Sequence, residues 1–268
     1  MEFNVGDCVT RRSYNSDIIF KIIKIIDKEA VLRSYRLRLM ADAPLTDLIK
    51  CEDEKKGNLK KKLLLESYEY LKRQQRNLIL NGEKSSRNGF SHSFSERPGR
   101  VLHIDGDKDY LKMSMQNYDN LQIDAEGFCI PEKGQPEKLP EHLEKYNPDI
   151  LVITGHDGVL NGESYRTSKY FAKAVKIARD YEHDLDKLVI FAGACQSSYK
   201  KLIENGANFA SSIDGKLIHF MDPVLIVEKI AYTSIRKVLS VNEIINCTIT
   251  EKTVGGIETR GKMRLCYP

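Results

Sequence analysis

The chain has 268 residues, of which 41% are hydrophobic and 30% are charged. That length and composition fit a large α/β domain with a small additional module, and they exclude a largely disordered chain. The formal net charge of +4 is too small to predict nucleic-acid binding by itself.

The N-terminal part has the alternating pattern of short β-strands. Residues 3–11 predict a first strand that follows a Gly-Asp turn, and residues 18–26 and 30–39 predict a hairpin around Asp27-Lys28-Glu29. Taken together, these strands predict a five-stranded β-barrel of the SH3 or Tudor type over residues 1–55. Barrels of this type bind many kinds of ligand, so the pattern does not identify one.

A basic segment and a polar segment follow over residues 56–98. Lysine and arginine are concentrated between Lys55 and Arg76, and residues 66–81 have the pattern of an amphipathic helix that stops at Asn81-Gly82. Residues 83–98 have the composition of an exposed loop. We interpret this loop as a linker, and a self-cleavage loop or a substrate-facing loop would have the same composition.

From Gly99 onward, apolar strands alternate with helices. Strands are predicted near residues 100–104, 122–130, 149–154, 188–193 and 207–213, and helices near 108–120, 140–146, 164–181, 197–205 and 222–237. A terminal hairpin is predicted at 255–267. The alternation indicates right-handed crossovers and a mostly parallel sheet flanked by helices over residues 99–268.

Two of these strands lead to reactive side chains. The run DILVITGH ends at His156, and the run LVIFAGAC ends at Cys195. Strands that are apolar on both faces are typical of a parallel sheet covered by helices on both sides. Open α/β sheets place their chemistry at the C-terminal ends of such strands. We therefore expect the imidazole and the thiol to meet at one edge of the sheet.

Cys195 is the candidate nucleophile and His156 the candidate base. Small residues precede Cys195 and a predicted helix follows it, which favours a thiolate. A neutral imidazole near pH 7 accepts and returns protons. The alternatives are a buried structural cysteine and a packed histidine. The other cysteines lack metal-ligand spacing, so we expect free thiols, no metal and no cofactor; they are Cys8, Cys51, Cys129, Cys247 and Cys266.

Attack by a thiolate on a carbonyl requires hydrogen-bond donors for the developing oxyanion. The backbone N–H of Cys195 is one candidate, and an N–H of the turn at Asp157 and Gly158 is another.

Two acidic residues follow strands that end at the same predicted edge. Asp105 lies at the end of the first strand of the sheet, and Asp214 follows the strand over residues 207–213. A carboxylate at such a position matches a guanidinium of a substrate. Capping of the next helix or turn is the alternative role. A metal site at Asp105 and Asp107 has no further carboxylate cluster to support it.

The paired blocks around His156 and Cys195 resemble the caspase, legumain, gingipain and clostripain group of cysteine peptidases. Those enzymes usually have glycine directly after the histidine, whereas this chain has His156-Asp157-Gly158. A closer resemblance, to the YabG family of sporulation-specific peptidases, runs over nearly the whole chain. It includes the VGD opening, VLHIDGD, PDILVITGHDG, FAGACQS and GANFASS.

The resemblance implies a caspase-like fold, with Cys195 as nucleophile and His156 as base. It implies processing of spore coat and cortex proteins, in the mother-cell cytoplasm and then in the spore coat. It also suggests cleavage beside arginine, for which Asp105 and Asp214 are the candidate pocket residues. No membrane partner is expected, because no apolar run approaches the roughly 20 residues of a membrane span and the first residues lack a signal pattern.

Two other functions compete with a peptidase. One is a non-catalytic assembly protein that binds coat proteins through its barrel and basic helix. The other is a nucleic-acid-binding module that uses the barrel and residues 55–62, which we rank last because such a lysine run is typical of a solvated surface. The sequence specifies no oligomeric state.

Overall fold

The structure is a computed structural model, and it describes residues 2–51, 95–160, 164–250 and 252–266. The predicted basic helix over residues 66–81, the lysine run of residues 55–62 and the linker up to residue 94 lie outside the described residues. None of the described helices is both long enough and apolar enough to span a bilayer.

The N-terminal strands form one antiparallel sheet in the order β4-β3-β2-β1-β5. The strands are β1 (Cys8–Arg11), β2 (Phe20–Ile26), β3 (Glu29–Ser34), β4 (Met40–Pro44) and β5 (Leu48–Lys50). Alternate residues of β3 are buried, as expected for a sheet with one covered face. The five strands match the prediction, and the SH3 or Tudor type of the sheet stays a prediction.

The predicted second strand of the hairpin is too long. It was expected to continue to residue 39, but β3 ends at Ser34 and residues 35–39 form a loop before β4. The Ser34 hydroxyl oxygen accepts hydrogen bonds from the N–H groups of Arg36 and Leu37, each at 3.2 Å. A serine side chain that binds the following backbone in this way favours a turn over a strand.

The remaining strands and helices alternate along the chain. The strands are β6 (Ser95–Arg97), β7 (Val101–Asp105), β8 (Ala125–Cys129), β9 (Ile150–Thr154), β10 (Val159–Leu160), β11 (Ser164–Tyr165), β12 (Val189–Gly193), β13 (Phe209–Ser211), β14 (Val238–Leu239), β15 (Val254–Gly256), β16 (Thr259–Arg260) and β17 (Arg264–Cys266). The helices are α1 (Lys108–Asn120), α2 (Gln135–Tyr146), α3 (Ser168–Tyr181), α4 (Tyr199–Glu204), α5 (Asp222–Ala231) and α6 (Val241–Ile245).

Six of these strands form the central sheet, in the order β15-β13-β12-β9-β7-β8. All neighbours are parallel except β15, which runs antiparallel to β13. Alternate residues of each strand pack into two separate clusters, one on each face of the sheet. Helices α1 and α5 cover one face, and α2, α3 and α4 cover the other. The predicted α/β class and mostly parallel sheet are confirmed.

The strand order reverses next to β7. The chain passes from β7 to β8 on one side and then crosses to β9 on the other. In open α/β sheets, ligands bind in the crevice outside the carboxyl ends of the strands at such a reversal. Asp105 ends β7, and His156 follows the end of β9.

Several element boundaries differ from the prediction. The terminal hairpin at 255–267 is wrong, because β15, β16 and β17 pair instead with β13, β14 and β6. The pairing of β17 with β6 also makes residues 95–97 a strand, where an exposed loop was expected. Helix α2 begins at Gln135, before Pro140, and α5 ends at Ala231, well before residue 237. Because proline is common at the first position of a helix, the sequence predicts a start at Pro140, which is too late.

Candidate active site

The structure brings His156 and Cys195 to the same edge of the central sheet. Strands β9 and β12 are neighbours in parallel register, with Thr154 opposite Gly193 at their C-terminal ends. His156 and Cys195 each lie two residues beyond these ends. The two residues therefore follow the ends of neighbouring strands although 38 residues of sequence lie between them.

Cys195 is fully buried, at 0% exposure. Its sulfur accepts a hydrogen bond from the Ile218 N–H at 3.4 Å and packs in one cluster with residues of the N-terminal sheet. Burial raises the pKa of the thiol to about 12, although hydrogen bonds from the backbone of Ile218 and Arg38 act in the opposite direction. In this arrangement the thiol is neutral at pH 7. The expectation that a following helix favours the thiolate is therefore wrong, because α4 begins only at Tyr199 and burial dominates.

His156 is also fully buried, and its ring stacks on Tyr110 with centroids 5.5 Å apart. Neither ring nitrogen makes a well-formed hydrogen bond. The Nε2 atom lies 3.9 Å from Oδ2 of Asp107. Burial lowers the pKa of His156 well below its ordinary value, and the charges of Arg33 and Arg38 lower it further. The imidazole is therefore neutral at pH 7, which is the form that accepts a proton.

Two of the three predicted oxyanion donors converge on one oxygen atom. The N–H groups of Cys195 and Asp157 donate to the carbonyl oxygen of Arg38, at 3.1 Å and 3.2 Å. The third candidate, the N–H of Gly158, donates instead to Oδ1 of Asp157 at 2.8 Å. The N–H groups of Cys195 and Asp157 thus converge on one carbonyl oxygen, and the N–H of Gly158 does not.

The side chain of Asp157 fixes the loop that carries this donor. Its Oδ1 accepts hydrogen bonds from the N–H groups of Gly158 and Thr167, both at 2.8 Å, and its Oδ2 accepts one from the Ser168 hydroxyl. These bonds tie the loop after β9 to the start of α3. An aspartate after the histidine therefore orients its own backbone N–H, a role that glycine at that position would not fill.

Asp105 is fully buried and binds Arg38. The guanidinium donates from Nη1 to Oδ1 at 3.0 Å, and Nη2 lies 2.8 Å from Oδ2. The same guanidinium lies 4.9 Å from the ring centroid of Tyr110. We call Asp105 and Tyr110 the arginine pocket. Both members of the ion pair have 0% exposure, so the charges are paired without solvent.

Electrostatics keep Asp105 ionised in this pocket. Burial by itself would raise the pKa of Asp105, but the charge of Arg38 and hydrogen bonds from His103 and Arg38 hold it well below its ordinary value. The N–H of Asp107 and the hydroxyl of Thr154 also donate to this carboxylate, at 2.8 Å and 3.0 Å. Asp105 is thus a fixed anion beside the Arg38 guanidinium.

Asp214, the other predicted pocket residue, lies elsewhere. Its side chain is 78% exposed, and its partner is Lys216 at 4.0 Å. Asp214 sits in a left-handed conformation, with φ 53°, in the short turn after β13. An exposed carboxylate in a turn does not contribute to the buried arginine pocket, so Asp105 alone of the two meets a guanidinium.

Sequence reasoning missed Glu132, which supports the loop that holds His156. Its Oε1 accepts the His156 N–H at 2.8 Å, and burial raises the pKa of this carboxyl. Glu132 packs against two glycines: a Cβ would come within 2.3 Å of Oε1 at Gly106 and within 2.6 Å at Gly155. The sequence shows the two glycines, Gly106 in DGD and Gly155 in TGHDG, but it contains no signal that Glu132 packs against them.

Arg38 and Tyr110 were also missed. Arg38 lies in the loop between β3 and β4, and Tyr110 lies in the first turns of α1. Neither position has a local pattern that distinguishes it from other arginines and tyrosines of the chain. Their role depends on the packing of the N-terminal sheet against the central sheet.

Comparison with known proteins adds to this geometry. The family model described as YabG peptidase U57 matches residues 4–268. The sporulation-specific protease YabG of Bacillus subtilis (strain 168) is 40% identical over 286 residues, covering 100% of this chain and 99% of that protein. No solved structure matches the chain.

Proposed function

The chain belongs to the YabG peptidase U57 family, and from this premise we propose that it is a cysteine endopeptidase that cuts proteins beside arginine. Family membership makes it a sporulation-specific protease, with proteins as its substrates. The proposal adds the nucleophile Cys195, the base His156 and the arginine-binding carboxylate Asp105.

The way the site holds Arg38 is the observation that supports this proposal most. The guanidinium pairs with Asp105, while the carbonyl oxygen of the same residue accepts hydrogen bonds from the Cys195 and Asp157 N–H groups. A peptidase that cleaves after arginine needs one subsite for the arginine side chain and one for the carbonyl oxygen, and a single arginine residue must reach both. A single arginine residue of the chain itself spans both.

The mechanism follows from the positions of these groups. His156 takes the proton of the Cys195 thiol, and the sulfur attacks the carbonyl carbon of the substrate arginine. The carbonyl oxygen gains negative charge, which the N–H groups of Cys195 and Asp157 stabilise. The C–N bond then breaks, and the leaving amine takes the proton from His156. What remains is an arginyl thioester on Cys195.

Hydrolysis of the thioester completes the cycle. His156 removes a proton from a water molecule, and the resulting hydroxide attacks the thioester carbon. The same two N–H groups stabilise the second oxyanion. The C–S bond breaks, the sulfur regains the proton from His156, and the carboxylic acid leaves. The reaction consumes one water per bond, and its steps use only side chains and backbone groups of this chain.

The proposal includes a cellular setting and a fold type. We propose spore coat and cortex-related proteins as substrates, with action first in the mother cell and then in the spore coat. We propose a caspase-like type for residues 99–268, because the histidine and the cysteine follow adjacent strands of one parallel sheet. The division into residues 1–55, 56–98 and 99–268 is likewise part of the proposal.

The proposal is tested with three peptides that differ only in the residue before the cleaved bond, which is arginine, lysine or alanine. We expect kcat/KM for the arginine peptide to exceed that for the alanine peptide by at least about 100-fold, because alanine leaves Asp105 without a partner. Equal rates for arginine and alanine would remove the arginine preference. An absence of cleavage of all peptides and proteins, both by wild type and by an Arg38→Ala variant that removes this side chain from the site, would favour the non-catalytic assembly function.

A further inference from the structure

We propose that residues 35–39, here named the inhibitory loop, bind the active site as a substrate would and close it to other polypeptides. This inference rests on the proposed peptidase function and adds a control to it. The loop connects β3 and β4 of the N-terminal sheet. The N-terminal sheet is therefore a built-in inhibitor of the site formed by β7, β9 and β12.

The backbone of the loop and its neighbour Met40 binds the way an extended substrate binds. The Arg38 carbonyl oxygen occupies the oxyanion position between the Cys195 and Asp157 N–H groups. Two residues further, the Met40 N–H donates to the Asp157 carbonyl oxygen at 2.7 Å, and Leu39 and Asp157 form a parallel β-bridge. The segment thus adds a short strand to the loop that follows His156, a common mode of peptide recognition.

The side chain of Arg38 fills the arginine pocket completely. Its exposure is 0%, its Nη1 is hydrogen-bonded to Asp105, and its guanidinium lies over Tyr110. A buried arginine is costly unless its charge is paired. Asp105 supplies the opposite charge, while Nε and Nη2 of Arg38 have no hydrogen-bond partner among the described residues. No room remains for the side chain of a second arginine while Arg38 is in place.

The contact extends beyond the arginine pocket. Leu39 is 5% exposed, and it packs in one cluster with Cys195, Ile218 and the core residues Phe20 and Leu32 of the N-terminal sheet. The core of the N-terminal sheet is therefore continuous with the wall around the nucleophile. Displacing the loop exposes apolar surface, which makes the closed state the favoured one.

Gly158 allows the segment to approach this closely. A Cβ atom at Gly158 would lie 2.1 Å from the Met40 carbonyl oxygen, well inside any allowed contact. The backbone of the loop after β9 and the backbone at the start of β4 thus fit each other only because residue 158 has no side chain. The close approach of Met40 therefore explains why residue 158 is a glycine. The proposed catalysis does not explain it, because the Gly158 N–H donates to the Asp157 carboxylate.

The inhibitory loop is held in its bound shape by its own strand. The Ser34 N–H donates to the Leu39 carbonyl oxygen at 2.9 Å, which closes the loop at its two ends. The Ser34 hydroxyl oxygen accepts from Arg36 and Leu37. A segment that is both preorganised and tethered to the same chain competes at a high effective concentration against a free substrate.

The experiment compares wild type, Arg38→Ala and Arg12→Ala in the full chain. Arg12→Ala is the control, because it removes an exposed arginine that lies outside the inhibitory loop. We expect Arg38→Ala to raise kcat/KM for an arginyl peptide by about tenfold or more, since the competent open state becomes populated. We expect Arg12→Ala to stay within about twofold of wild type. A rate for Arg38→Ala equal to that of wild type would overturn the inference.

A second variant and a second readout guard against loss of folding in Arg38→Ala. Arg38→Lys keeps a cation beside Asp105 but loses the two-point contact, so we expect a smaller increase of about threefold. Alkylation of Cys195 by iodoacetamide, followed by mass spectrometry, is expected to accelerate in the same order. If neither rate changes in Arg38→Lys or Arg38→Ala, the loop does not close the site.

The two proposals fail in different ways. If wild type cleaves arginyl peptides through Cys195 as fast as Arg38→Ala does, the proposal that the loop inhibits the site is wrong. The proposed peptidase function then still holds. If no variant cleaves, or if cleavage is unchanged in Cys195→Ala, the proposed function itself is wrong.

Discussion

Replacing Cys195 with alanine is expected to reduce kcat/KM for arginyl peptides by at least about 10³-fold, the scale seen when a covalent nucleophile is removed. The reason is that, in the proposed mechanism, only the Cys195 sulfur forms the thioester. Removing one buried sulfur costs only about 1–2 kcal/mol in the free energy of unfolding, so we expect the protein to stay folded. Peptide cleavage and thermal unfolding of the variant measure the two effects.

Cys8→Ala is the matched control for this variant. Cys8 is also a buried cysteine, but it lies in β1 of the N-terminal sheet and outside the hydrophobic cluster that contains Cys195. We expect this control to keep wild-type activity within about twofold. His156→Ala should resemble Cys195→Ala, because the thiol and the imidazole act as a unit. Substantial cleavage by Cys195→Ala would contradict the assignment of the nucleophile.

Replacing Asp105 with asparagine is expected to remove most of the preference for arginine. The carboxylate makes a two-point contact with a guanidinium, and removing one partner of a buried ion pair costs about 3–5 kcal/mol. We therefore expect the ratio of kcat/KM for arginine peptides to that for alanine peptides to fall by about 100-fold or more. The measurement is the same set of peptides.

The background for this test matters, because Asp105 also pairs with Arg38. In the wild-type chain, Asp105→Asn would leave the Arg38 guanidinium buried without its carboxylate and would disturb the fold as well as the pocket. The comparison is therefore Arg38→Ala against Arg38→Ala with Asp105→Asn. Asp214→Asn serves as the control, since its side chain is exposed. A preserved arginine preference in the double variant would show that another group reads the side chain.

The placement of His156 and Cys195 at one sheet edge follows from features that a sequence carries locally. Runs such as ILVIT and VIFAG are long enough and apolar enough to predict buried parallel strands. Neighbouring parallel strands present their C-terminal ends at one edge of the sheet, so both residues are placed at that edge. Helix α1 was predicted with its observed bounds because Asp107 is a strong N-cap, accepting from the Asp109 and Tyr110 N–H groups.

The contents of the pocket depend on contacts that have no local signature. Arg38 and Asp105 are 67 residues apart, and a single arginine in a polar loop gives no sign of being buried. The pairing of β17 with β6 likewise has no local sequence signal, because it joins the chain's last described strand to residues 95–97. Such long-range contacts depend on which sheet edges remain unpaired and which core faces remain exposed once the individual strands and helices have formed.

The candidate oxyanion donors illustrate a part of the site that residue types alone do not determine. The sequence narrowed them to Cys195, Asp157 and Gly158, but the choice depends on where the Asp157 side chain points. Because that carboxylate binds the Gly158 and Thr167 N–H groups, the Asp157 N–H remains directed at the carbonyl position. Only the folded loop separates the donor from its neighbour.

The most direct test of the central claim is to treat the full chain with an arginyl chloromethyl ketone and map the modified residue by mass spectrometry. The reagent carries a guanidinium for Asp105 and an electrophilic carbon for the nucleophile. We predict one adduct per chain, on Cys195, with loss of peptide cleavage in step with labelling. An adduct on any other cysteine, or full activity after Cys195 is modified, would contradict the account.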